Sequence, residues 1–250
     1  MSQYTQRYLT EVTNLLKAIE EEERDSIAKG AELMAKAIIK DELIHVIGPG
    51  GHSNMGAYEM FYRAGGLVPI NPILDPGTAL HYGAIRSTII ERTPGYGLAV
   101  LKAYDIHDGV LIIVNAYGIN AMCIDIAQGA KELSIPTIGI SSRAFAERVP
   151  PDHPARHPSK KNLFEIVDVH IDCHMPYGDA VVKFEELAQK VGPTSTLVNC
   201  FTLNLLVIKT VELLLAKGFK PPIWMSANIP GGDEANREFI AKYKQRVKFL

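Results

Sequence analysis

Residues 43–63 read LIHVIGPGGHSNMGAYEMFYR. The apolar run 43–47 predicts a short buried strand. It runs straight into Gly48, Pro49, Gly50 and Gly51, then His52, Ser53 and Asn54, and a segment with helical spacing begins at Met55. A strand, a glycine turn and a helix start together hold an anion well. The glycines admit close backbone approach, and the first N–H groups of a helix have no partner inside it. Two nucleotide loops are excluded. The dinucleotide fingerprint needs a third glycine where Ser53 stands. The triphosphate loop needs Lys and Ser or Thr after Gly56, where Ala57 and Tyr58 follow.

Outward from this turn, strands and helices alternate. A single helix is expected over 3–40, with apolar residues recurring from Tyr4 to Ile38. At that length it would span about 55 Å, enough to reach a second subunit. The acidic run from Glu20 to Asp25 reads as a solvated face. Further strands are expected at 67–73, 109–114, 136–140 and 166–171. Helices are expected at 55–64, 78–92, 96–104, 119–133, 197–215 and 233–248. The strand at 109–114 is apolar throughout, as befits the centre of a parallel sheet. Residues 142–165 carry four prolines and no periodicity and read as a long loop. The alternation predicts an α/β fold, a parallel sheet with helices on both faces. Right-handed crossovers then bring three turns to its carboxyl edge: 48–53, 115–120 and the pair Ser141 and Ser142.

The 250 residues, 47% of them hydrophobic, suffice for one core, so a single domain is expected. It divides into the helix 1–40, an α/β body 41–218 and a C-terminal extension 219–250. A net charge of −2 gives no basic surface for nucleic acid. No apolar run approaches the roughly 20 residues of a membrane span. The N-terminus lacks a signal-peptide core. Three cysteines, Cys123, Cys173 and Cys200, form no CxxC pair and suit a reducing cytoplasm. Neither a metal nor a cofactor is expected.

Several segments, in order, carry a family resemblance. They are the turn Gly48 to Ser53, which resembles a Gly-x-Gly-His-Ser segment with one extra glycine, followed by Glu59-Met-Phe-Tyr-Arg-Ala-Gly-Gly66, then Asn71-Pro72 to Asp75-Pro76, and His81 to Thr88. Lys190 to Thr196, and Gly231 to Asn236 after Ser226-Ala227-Asn228, complete the set. In these the chain resembles the sugar isomerase (SIS) domain superfamily, in a bacterial branch similar to phosphoheptose isomerases. The resemblance implies a flavodoxin-like five-stranded parallel sheet, a homodimer and recognition of phosphorylated sugars by turns rich in Ser and Thr. The superfamily spans aldose–ketose isomerases, an etherase acting on an amino-sugar phosphate, and non-catalytic sugar-phosphate sensors. This chain departs from its pattern after the third strand. The usual Ser-x-Ser-Gly reads Asn115-Ala116-Tyr117-Gly118, followed by Ile119 and Asn120, so both phosphate-binding serines are gone.

Within this frame the resemblance puts an acid or base at Glu59, on the helix after the glycine turn. His81 can titrate near neutral pH and is its expected partner. Glu91 and Arg92 rank behind them. The expected substrate-binding set is Gly50, Gly51, His52, Ser53 and Asn54 in the first turn, and Asn115, Tyr117, Gly118 and Asn120 in the second. Ser141, Ser142, Ser195 and Thr196 complete it, although 194–196 equally read as a helix cap. Asp168, His170, Asp172 and His174 alternate along one strand. Alternate residues share a face, so they could meet a metal, or simply form the polar side of an edge strand.

Overall fold

The computed structural model describes residues 2–250. Five short apolar strands form a wholly parallel sheet: β1 (Ile44–Ile47), β2 (Ile70–Ile73), β3 (Val110–Val114), β4 (Thr137–Ser141) and β5 (Val169–Asp172), in the order β2-β1-β3-β4-β5. This is the flavodoxin-like order. Side chains alternate in direction along a strand, so central β3 feeds two cores. Val110, Ile112 and Val114 face one, and Leu111 and Ile113 face the other.

The first core is closed by α1 (Gln3–Glu22), α2 (Arg24–Ile39), α3 (Asn54–Met60) and a long helix, Ser195–Ala216. The second is closed by α5 (Tyr96–Tyr104) and α6 (Ala121–Glu132), with α4 (Ala84–Glu91) beside them. The expected 78–92 helix is therefore only α4, preceded by a 3-10 turn at Leu80–Tyr82.

The single helix expected over 3–40 is two. It breaks at Glu23, whose backbone leaves the helical region at φ −102°, ψ 13°. Glu23 is not part of a solvated face. Its carboxylate turns inward to within 3.5 Å of His174 Nε2, just beyond β5. That pairing lowers the Glu23 pKa against the opposing effect of burial and raises that of His174.

The proline-rich stretch after β4 is more ordered than its composition implies. Ser142 caps α7 (Arg143–Arg148) by accepting from the Phe145 N–H at 3.1 Å. The Arg156 guanidinium then gathers the chain, donating to Val149 O at 2.8 Å, to Asn162 Oδ1 at 2.8 Å and also to Ala146 O. A small antiparallel hairpin, β6 (Ala180–Val182) with β7 (Val191–Pro193), follows. It packs on α1, where Tyr4 stacks on Phe184 and Tyr8 Oη donates to Pro193 O at 2.8 Å.

The helix Ser195–Ala216 is α8. By length and composition it could cross a membrane, contrary to the expectation that no run is long enough. Here it packs against α1, α2 and α3 as a core helix. The extension ends in α9 (Gly232–Tyr243), and Trp224, Tyr243 and Val247 close a third cluster over Leu43 and Val68.

Candidate cleft at the carboxyl edge of the sheet

Strand order reverses between β1 and β3, and ligands of such sheets bind in the crevice outside that switch point. The turns after those two strands are built as one unit. Asn115, at the end of β3, donates through Nδ2 to Pro49 O at 2.8 Å, and its Oδ1 accepts from Gly118 N at 2.8 Å. Asn54 donates to Gly50 O at 3.0 Å and to Thr78 Oγ1 at 3.1 Å, pinning the first turn to the loop before α4. The glycines are steric necessities. A Cβ on Gly48 would lie 1.7 Å from Ser53 O, and one on Gly50 would lie 2.7 Å from Glu91 Oε2.

Above these turns opens a cleft of about 380 Å³. The first turn supplies Gly51, His52 and Ser53. Helix α4 supplies Ser87, Thr88 and Glu91, which at spacings of three and four share a helix face. Ala116 and Tyr117 come from the second turn, and Asp179, Ser195, Thr196 and Asn199 close the far side. No Lys or Arg is among these lining residues. The N–H groups of His52 and Ser53 donate to no backbone carbonyl. The buried side chain of Asn199 leaves its Oδ1 without a partner among the described residues.

Glu91 is the chemically distinctive group. Burial pushes its carboxyl up to about 7, against the smaller opposing effects of the Arg92 charge and the Gly51 N–H. Sequence reasoning ranked it low because it ends an otherwise ordinary helix. The available signal was the Ser87-Thr88-Glu91 spacing.

Asp179 is the second missed residue. Held at φ 66°, its carboxylate accepts from Thr194 N at 2.8 Å, Ser195 N at 2.7 Å and Ser195 Oγ at 2.8 Å. The positive end of α8 is thus filled by the protein's own anion. No local pattern announces it, because the cap lies in a separate element from the helix it serves.

The expected site residues divide accordingly. Gly51, His52, Ser53, Tyr117, Ser195 and Thr196 line the cleft, and Gly50 lies beneath it against Glu91. Asn54 and Asn115 are buried braces whose amides are committed within the fold. Gly118 pairs through its N–H with Asn115 and through its carbonyl with Leu163 N. Ser141 and Ser142 have no solvent exposure; Ser141 Oγ pairs with His170 Nε2 at 3.0 Å, and Ser142 Oγ donates to Met175 O at 2.7 Å. Asn120 borders a neighbouring cavity instead.

Glu59 does not line the cleft. It accepts from Asn204 at 2.9 Å and pairs with Arg63 at 3.1 Å, on the α3–α8 surface. His81 is exposed and its ring lies tilted against Tyr82, with 4.3 Å between ring centroids. The alternating Asp and His residues of β5 diverge too. Asp168 binds the Thr137 N–H and hydroxyl, His170 binds Ser141, Asp172 accepts from the Arg143 and His174 N–H groups, and His174 faces Glu23.

Sheet order, glycine turn and polar cleft define a doubly wound α/β protein with a candidate small-molecule cleft at its switch point. The SIS-domain family model matches residues 7–142, and the chain belongs to that family. A relative from Geobacillus thermodenitrificans, described as a UPF0309 protein, is 36% identical over 98% of this chain and 96% of its own length. Two solved structures share the fold. A phosphoheptose isomerase from Francisella tularensis has a TM-score of 0.54 at 12% identity, over 85% of this chain and all of its own. One from Neisseria gonorrhoeae has 0.52 at 14%, over 83% and 95%.

Proposed function

We propose that the cleft binds a phosphorylated sugar, or a close carbohydrate derivative, and interconverts its aldose and ketose forms. The observation that carries this reading is Glu91. An isomerase of this kind moves a proton between adjacent carbons through an enediol, and a base does so best when its pKa lies near the working pH. A carboxyl raised to about 7 and pressed onto the glycine turn meets that need. Glu91 takes the proton and returns it to the neighbouring carbon, while His52 gives a proton to the carbonyl oxygen and takes one from the adjacent hydroxyl as it becomes the new carbonyl. The hydroxyls of Ser53, Thr88 and Thr196 and the N–H groups of His52 and Ser53 hold the phosphate and ring. Membership of the SIS family, and the fold shared with two phosphoheptose isomerases, support this substrate class. The acid–base pair expected from the sequence, Glu59 and His81, is replaced because neither faces this cleft.

The same displacement of Glu59 and His81 favours one rival, a sensor that binds the sugar phosphate without converting it. A thermal-shift panel of aldose and ketose phosphates, followed by NMR on any stabilising compound, separates the two. The expected outcome is a stabilising ligand whose anomeric signals change with time. A ligand that stabilises and stays unchanged makes the protein a sensor, and no response to any sugar phosphate overturns both readings. We further propose a homodimer formed through α4, the helix that carries Glu91.

A further inference from the structure

A second cavity of about 260 Å³ adjoins the cleft, and Glu91 and Tyr117 line both. Three observations set it apart as a seat for a ligand. First, one wall is aromatic: Tyr117 and Phe145 lie 4.6 Å apart between ring centroids, and Phe145 and Tyr177 stack at 5.4 Å. Second, Asn120 lines it and is only 3% exposed, and its Oδ1 has no partner among the described residues. The orientation of that amide is fixed because Nδ2 donates to Ala155 O at 3.2 Å. A buried carbonyl left unpaired costs about 1–3 kcal/mol, a cost removed when a ligand donates to it. Third, Arg92 and His153 add donors around the cavity, whereas the main cleft is lined by no Lys or Arg.

An aromatic wall beside a lone acceptor suits a ring with an apolar C–H face and hydroxyls at its rim. We propose that this annex is a second sugar subsite. The ligand is a phosphosugar carrying a further pyranose ring, packed against the Tyr117, Phe145 and Tyr177 rings, with Arg148 behind Tyr177 at 4.2 Å and one ligand hydroxyl donating to Asn120 Oδ1. The inference rests on reading the main cleft as a phosphosugar site.

Titration calorimetry tests it with hexose 6-phosphates on one side and, on the other, disaccharide phosphates whose phosphorylated ring keeps a free anomeric carbon, cellobiose 6-phosphate and maltose 6-phosphate. At least one disaccharide phosphate is expected to bind about tenfold more tightly than the best hexose phosphate, the gain expected from one ring on an aromatic face. Tyr177→Ala, at a partly exposed position, and Phe145→Leu are expected to abolish that preference and leave hexose phosphate affinity within about twofold. Hexose phosphate binding without a disaccharide preference overturns the annex alone. So does a preference that survives both substitutions. If neither ligand class binds, the reading of the main cleft falls and the annex with it.

Discussion

A glutamate side chain in water titrates near 4.5, and Glu91 reaches about 7 because α4 tucks it under the first glycine turn. The sign of the consequence follows from linkage. A carboxyl whose folded pKa is raised adds stability below its unfolded value of 4.5 and loses it as pH rises through 7. At alkaline pH the buried charge therefore costs the fold on the order of 3 kcal/mol. Glu91→Gln keeps the shape and removes the charge. We expect it to melt several degrees above wild type at high pH. The gap should narrow on acidification and close near the unfolded pKa. With an identified substrate, kcat should fall about 100-fold or more while KM changes little. A variant no more stable than wild type at high pH would show that the carboxyl is not buried as described. Glu59 was the more legible residue, since it follows a recognisable turn. Its partners are Arg63, just past the end of α3, and Asn204 on α8, and the Asn204 contact spans 145 residues of sequence.

At the scale of elements, the strands announced themselves, because a parallel strand buried on both faces must be apolar throughout. Positions 110–114, VLIIV, allow little else. What stayed hidden was set by contacts remote in sequence. The break between α1 and α2 depends on His174, about 150 residues away, and the order of the proline-rich stretch depends on Arg156. The start of α8 is the sharpest case. Thr194-Ser195-Thr196 looks like a self-sufficient cap, yet Ser195 donates its hydroxyl to Asp179, and that carboxylate satisfies the helix N–H groups. Asp179→Ala should therefore cost about 1–2 kcal/mol, the loss of a good N-cap, read as a lower Tm in low-salt buffer. It should also open the helix end to other anions. Phosphate or sulfate is then expected to raise the Tm of the variant more than that of wild type. Equal responses would mean that Asp179 does not occupy an anion position.

At the scale of the molecule, the strand alternation was enough to place the candidate cleft at the carboxyl edge, because the fold puts every strand-to-helix turn on one edge and the order reverses between β1 and β3. The surface around that site is the remaining feature to explain. On α4, Ile85 is 79% exposed and Ile89 62%, one helical turn apart, with Tyr82 beside them at 59%. Single apolar side chains on a surface are ordinary, but a contiguous row of them marks an interaction face. This row lies on the helix that presents Ser87, Thr88 and Glu91 to the cleft, so a second copy docked there would also set the position of the Glu91 carboxyl. The sequence assigned the reach to a partner to the N-terminal helix; on the exposed isoleucines we propose α4 instead. We expect sedimentation analysis at micromolar concentration to show a dimer, and the double substitution of Ile85→Glu and Ile89→Glu to shift it to monomer with its Tm taken above the assay temperature. Both side chains already face solvent in the single chain, so their replacement should leave the core intact. Turnover should fall with dissociation and recover in part at high protein concentration. A wild-type protein that sediments as a monomer, or a double variant that stays dimeric, would remove α4 from the interface.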